Sequence, residues 1–298
     1  MNLNLLYSIL QTESESGNQR DMAELIRSHC EQSGYLVTSD APGNLYVTKG
    51  DAQTFPCIAS HMDTVHDISG DGIALIELDG KLTGLNPVTM EQTGIGGDDK
   101  CGIYAALHCL ANLPACKAAF FVDEEVGCIG SEAADMSFFE DCRFVLQADR
   151  RGNADFVNDI CGPLASSRFA AAVAPLLARY EYKPCGGAMT DVLALRDNGV
   201  GVSVANMSAG YYNPHQACEY IVLADLERVC ALMLDICATC TSVYKFRPAK
   251  HVWSRSSRSS RSSRSSRDSF PEFRPVEREI MEEIDTWPHD PWYKKYPA

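Results

Sequence analysis

No apolar run in this chain of 298 residues approaches the ~18 uninterrupted residues that a membrane-spanning helix needs. The opening Met1-Asn2-Leu3-Asn4-Leu5-Leu6 also lacks the basic region of an export signal, so a cytoplasmic setting is expected. Positive charge is scarce: 26 Lys and Arg face 40 Asp and Glu, for a net charge of −14. That sign argues against nonspecific nucleic-acid binding by the chain as a whole. Paired cysteine spacing is missing as well. The 13 cysteines are an odd number scattered through apolar runs, as at Cys57, Cys109, Cys128 and Cys230, and read as reduced core thiols. One Cys-x-x-Cys, Cys237 to Cys240, lies in an apolar helical run without a second pair, which favours thiols over a zinc site.

What the chain does have is acids and histidines where apolar runs end. Pro56-Cys57-Ile58-Ala59-Ser60 leads into His61-Met62-Asp63, and Phe120-Phe121-Val122 into Asp123-Glu124-Glu125. Leu146-Gln147-Ala148 precedes Asp149, while Gly201-Val202-Ser203-Val204-Ala205 comes before Tyr211-Tyr212-Asn213-Pro214-His215. The fifth segment, Gly96-Gly97-Asp98-Asp99-Lys100-Cys101-Gly102, opens a helix-like run and places a carboxylate where free N–H groups favour negative charge. Sites in open α/β sheets gather at the carboxyl ends of strands. A set of His, Asp, Glu, Asp and His suits zinc, and cobalt or manganese by similar geometry. One bridging carboxylate lets five ligands hold two metals.

The remaining patterns supply a frame. Leu3, Leu6, Ile9 and Leu10 recur at helical spacing, and a second helix after Asn18 carries Met22, Ile26 and Cys30 on one face. Tyr35 to Thr38 and Asn44 to Thr48 alternate as a hairpin, as do Ala74 to Leu78 and Leu82 to Leu85 around Asp79-Gly80. His66 and Asp67 between them are expected to be loop residues near the pocket mouth. A helix from Ile103 to Leu113, strands at Ala118 to Val122 and Phe144 to Gln147, helices at Arg168 to Tyr180 and from Val192, and a closing helix from Glu219 to Val243 complete the order. Such alternation predicts an α/β fold of three layers, a mostly parallel mixed sheet with helices on both faces.

His-x-Asp, Gly-Asp-Asp-Lys-x-Gly, Asp-Glu-Glu-Val-Gly, Asp and Asn-x-His, in that order over roughly Asn18 to Cys240, resemble the co-catalytic zinc peptidases. That family includes tripeptide aminopeptidase, carboxypeptidase G, aminoacylase and succinyl-diaminopimelate desuccinylase. The resemblance implies two divalent metals, one on His61, Asp98 and Asp149 and the other on Asp98, Glu125 and His215. Asp98 is the bridging acid because the family's stands two places before the lysine, and its bond to Asp99 is expected to be cis. Asp63 would orient His61, and Glu124 would act as general base. The stretch from Arg150 to Ser167 is too short for the family's inserted lid domain, so a version with no lid is expected. The Gly186-Gly187-x-x-x-Asp191 region would shape the substrate pocket, although helix capping explains Asp191 equally well. In place of the lid's oxyanion histidine, lidless relatives in the wider clan use a tyrosine, here Tyr211 or Tyr212.

The implied activity is hydrolysis of peptide or related amide bonds, by an aminopeptidase or dipeptidase or else an N-acyl amino acid deacylase. A reading of another class is a metal-binding scaffold that recruits through its tail. This catalytic domain spans 1–253. An Arg-Ser-Ser linker over 254–269, with five arginines, has nothing apolar to bury and is expected to be disordered; it is the one place where a nucleic acid or acidic partner would bind. The tail over 270–298 carries Ile280, Ile284 and Trp287 on one face of a short amphipathic helix suited to a protein partner.

Overall fold

The first alternating stretch forms the expected hairpin, β1 (Leu36–Ser39) antiparallel to β2 (Leu45–Lys49). It is the margin of an eight-stranded sheet in the computed structural model, which describes residues 1–68 and 70–248. The Arg-Ser-Ser linker, the terminal amphipathic helix and the boundaries proposed at 253 and 269 lie outside the described residues. The other strands of this sheet are β3 (Phe55–His61), β7 (Cys116–Phe121), β8 (Cys142–Gln147), β9 (Asp155–Asp159), β10 (Lys183–Gly186) and β11 (Val204–Met207). Their order is β1-β2-β7-β3-β8-β11-β9-β10. The central strands β7, β3, β8 and β11 run parallel, while β2 and β9 join them antiparallel.

Strand alternation decides how this sheet is covered. In β7, Ala118 and Phe120 enter one apolar cluster while Ala119 and Phe121 enter another; in β3, Ile58 goes one way and Cys57 and Ala59 the other. Successive side chains point to opposite faces, so a strand without polar alternation needs helices on both sides. On the first face lie α1 (Leu3–Gln11), α2 (Arg20–Gln32), α3 (Gly97–Asn112), α5 (Ser167–Arg179) and α7 (Leu223–Thr239), contributing Leu6, Ile26, Ile103, Phe169 and Leu232. On the second, α6 (Asp191–Asp197) adds Val192 and Leu195 beside Phe139, and α4 (Ile129–Glu132) follows the loop after β7. Among the described residues, no helix is long and apolar enough to cross a membrane.

A smaller antiparallel sheet was only half expected. The hairpin β4 (Ala74–Leu78) with β5 (Lys81–Leu85) extends through β6 (Gln92–Thr93), β13 (Tyr220–Val222) and β12 (Tyr211–Tyr212). Two sequence expectations change here. The closing helix begins at Leu223 rather than Glu219 because Tyr220–Val222 pair with both β5 and β12. His215 does not cap the strand that starts near Gly201; the chain leaves β11 at Met207 and reaches His215 by way of β12. Between Asp149 and His215 the chain forms β9, α5, β10, α6, β11 and β12, which extend and cover the sheets in place of a separate lid.

Candidate metal centre

Parallel register brings three strand ends to one level. His61 pairs with Phe121, and Ala59 with Gln147, so the chain leaving β7 and β8 delivers Glu124, Glu125 and Asp149 beside His61. Asp98 arrives from a different element, the first turn of α3, where Gly96 takes a left-handed conformation (φ 67°) and the Asp98-Asp99 peptide is cis. The two adjacent acids turn opposite ways. Asp99 is buried and caps the helix, its carboxylate accepting from Gly102 N at 3.0 Å and Ser60 Oγ at 2.6 Å. Asp98 faces the strand ends.

Two groups of side chains converge there, His61 with Asp98 and Asp149, and Asp98 with Glu125 and His215; within each, the ligand-type atoms lie within 4.8 Å of one another. His61 Nε2 is 3.3 Å from Asp98 Oδ1 and 3.6 Å from Asp149 Oδ1. His215 Nε2 is 3.4 Å from Asp98 Oδ2 and 3.0 Å from Glu125 Oε1. Asp98 thus offers one oxygen to each group.

Asp63, fully buried, ties the strand ends together. It accepts from Ser16 Oγ (2.8 Å), Glu124 N (2.9 Å) and Glu125 N (3.1 Å). Its own carbonyl and carboxylate stand 2.9 and 3.3 Å from His61 Nδ1, which leaves Nε2 turned toward Asp98 and Asp149. Although burial pushes the Asp63 carboxyl up, His61, Ser16 and the Glu124 amide hold it below its ordinary value.

The electrostatics are those of crowded acids. Burial, reinforced by Asp149, Asp191 and Glu125, raises Glu124 to about 9 against the pull of His61. Burial and Asp98 raise Asp149 to about 7. Hydrogen bonds to Asp98 and Glu125 raise His215 to about 10. Burial opposes protonation of His61, but Asp149, Asp63 and Asp98 carry it well above its usual range. Carboxylates packed this closely, with two imidazoles among them, form a nitrogen and oxygen donor set that a divalent cation fits.

The proposed substrate residues divide. Tyr211 is buried and its hydroxyl donates to Asp149 Oδ1 at 3.2 Å. Tyr212 is occupied elsewhere, donating to Asp225 Oδ2 at 2.7 Å and stacking on Tyr220 at 5.1 Å. Asp191 is fully buried at the start of α6, and Gln147 Nε2 donates to it at 2.9 Å; the α6 cap position belongs to Thr190. Gly186 ends the edge strand β10 and Gly187 N bonds Asp159 O, which places both beyond the converging acids. His66 is a loop residue, as expected, at 3.1 Å from Glu219.

Sequence reasoning missed the residues that hold Asp149. Thr190 Oγ1 donates to its carboxylate at 2.8 Å and Gln147 Nε2 at 3.1 Å, while Asn206 accepts from its amide and donates to its carbonyl. The signal existed for Gln147 and Asn206, each a polar residue in a run whose neighbours are buried. A buried amide side chain needs partners.

No protein-family model and no curated protein matches this chain. Solved structures of similar fold include aminopeptidase PepT from Bacillus cereus, with a TM-score of 0.64 and 16% identity over 80% of this chain and 97% of that one. A tripeptidase from Staphylococcus aureus gives 0.65 and 14% over 80% and 97%. An aminopeptidase from the archaeon Desulfurococcus kamchatkensis gives 0.60 and 17% over 80% and 94%. At these identities the likeness establishes the fold.

Proposed function

We propose that the chain is a two-metal amide hydrolase, an aminopeptidase or dipeptidase acting on short peptides. The observation that carries this reading is the pair of ligand groups sharing Asp98, with Glu124 Oε2 beside them at 4.0 Å from His61 Nε2. His61, Asp98 and Asp149 would hold one ion and Asp98, Glu125 and His215 the other; zinc, cobalt and manganese all suit these donors. When bound, such ions polarise a scissile carbonyl and acidify an attacking water.

The chain's own groups do the rest. Glu124, whose amide is fixed by Asp63, keeps its proton to about pH 9 in the metal-free chain. With both metal positions filled it would be ionised, free to take the proton of the attacking water and return it to the leaving amine. Asp63 keeps the His61 ring in one tautomer. Tyr211, whose hydroxyl donates to Asp149 at 3.2 Å, is the candidate donor to the carbonyl oxygen. Nearby cations are turned elsewhere: Lys100 Nζ donates to the Leu10 and Thr12 carbonyls and Arg150 Nε to Asp155. Even with two divalent ions bound, the six acids Asp63, Asp98, Glu124, Glu125, Asp149 and Asp191 outnumber the ions' four positive charges. That excess attracts a free ammonium more than a free carboxylate, which supports an amino-terminal preference over carboxypeptidase action.

The test is a screen of zinc-, cobalt- and manganese-loaded protein against free, N-blocked and C-blocked di- and tripeptides. Hydrolysis of free and C-blocked peptides with N-blocked ones refused is the expected pattern. Cleavage of N-acyl amino acids alone would make the chain a deacylase, and no cleavage of any of them would sink the hydrolase reading.

A further inference from the structure

Glu219 has no exposed surface, and its neighbours explain how a carboxylate is accommodated there. Its Oε2 accepts from Gly96 N at 2.8 Å and its Oε1 from Asp98 N at 3.1 Å. His66 Nε2 lies 3.1 Å from Oε2 without the alignment of a hydrogen bond. Both amides belong to the turn that presents Asp98.

The backbone has been brought unusually close to make this contact. A Cβ on Gly97 would stand 3.3 Å from Glu219 Oε1, 3.1 Å from Ile221 Cγ1 and 2.6 Å from Tyr211 Cβ. Glycine at 97 is therefore required by the approach of β12 and β13. The same short segment that places Glu219 also places His215, whose Nε2 is 3.4 Å from Asp98 Oδ2. One loop thus grips Asp98 at its backbone through Glu219 and meets its side chain through His215.

We propose that Glu219 is a positioning residue for the shared carboxylate, setting the affinity with which Asp98 holds a second divalent ion. This inference rests on the two-metal reading above. A carboxylate is needed because both partners are N–H donors; the isosteric amide would turn an NH2 group toward one of them whichever way it lay. Outer-shell partners of metal ligands typically carry ~10–100-fold in metal affinity, and the loss expected in Glu219→Gln falls in that range.

The experiment is a Mn2+ titration of chelator-treated full chain, wild type and Glu219→Gln, followed by electron paramagnetic resonance. Two manganese ions sharing a carboxylate give a spin-coupled spectrum unlike that of isolated ions. Circular dichroism and thermal unfolding check the fold, and Glu219→Ala, which removes the carboxylate without adding a donor, stands in if the amide variant does not fold. The expected result is that wild type binds two ions with a coupled spectrum, while the folded variant binds the second ~10–100-fold more weakly and loses the coupling. A folded variant with both ions at wild-type affinity and coupling intact overturns the inference and leaves the two-metal reading standing. Wild type that never binds a second ion overturns both.

Discussion

The two halves of the proposed centre are built from different material. His61, Asp98 and Asp149 are enclosed, with side-chain exposures of 0%, 13% and 8%, and two of the three leave ends of the eight-stranded sheet. His215, on the other half, is 50% exposed and is carried by the loop between two- and three-residue strands of the small sheet. It stands in a left-handed conformation (φ 63°), as does Asn213 (φ 55°), a geometry that non-glycine residues adopt at a cost. The enclosed half is fixed by a scaffold that folds for its own reasons. The other half shares Asp98 and takes Glu125, 7% exposed, from beyond β7. Its difference lies in His215, which depends on local contacts, so the ion on His215 is expected to exchange first.

The largest expected effect that sharpens this contrast is from His215→Ala. Elemental analysis after dialysis should find one ion per chain, with turnover reduced at least as far as the ~10²–10⁴-fold that loss of a general base costs. Retention of two ions would show that the halves are not unequal in this way. Glu124→Gln comes next. It keeps the shape of the side chain and removes its basicity, so both ions should stay while kcat falls ~10²–10⁴-fold; activity within a few-fold of wild type would mean that another group takes the proton.

A third test uses pH on chelator-treated protein. His215 rises from 6.5 to about 10 on folding, and Glu124 from 4.5 to about 9. Both bind their proton more tightly when folded, so the stability they contribute is present below their unfolded values and is lost as pH climbs through the folded ones. The melting temperature should therefore fall between about pH 6.5 and 10, and added Zn2+ should flatten the slope over the part of that range where it stays soluble. A melting temperature that rises with pH without metal would contradict the electrostatics described. The smallest effect is that of Tyr212→Phe, which removes a hydrogen bond to Asp225 outside the converging acids. It should cost about 1–2 kcal/mol of stability and leave kcat unchanged, whereas a fall in kcat would bring Tyr212 back into the site.

Much of the architecture was legible because its signals are chemical and repeated. Apolar runs ending at His61, Glu124 and Asp149 pointed to parallel strands, and those strands align the residues as the register requires. The small sheet was harder to read. Strands of two or three residues, such as Tyr211–Tyr212 and Tyr220–Val222, are too short to show alternation. The run from Glu219 onward also has the spacing of a helix, which hid both β13 and the buried role of Glu219. Tyr211 and Tyr212 illustrate a further limit: neighbours on a strand face opposite ways, so one of the two was bound to turn from the site, and only the sheet's orientation decides which. Capping was as plausible as pocket formation for Asp191 because both need an acid before a helix; the buried Gln147 that engages it comes from a strand 44 residues away.

Asp63 also bears on the order in which the molecule assembles. The hydrogen bonds it accepts join residues separated by 47, 61 and 62 positions in the chain, and each closes a long loop. Contacts of that span are entropically expensive before the surrounding core exists, so the strand ends are expected to meet late in folding. An unfolded chain carries the proposed ligands scattered over 155 residues, from His61 to His215, and offers a cation no ready cage. On the two-metal reading, whatever free energy an ion gains on entering the finished site is then added to the stability of the fold itself, and metal depletion would shorten the life of the protein.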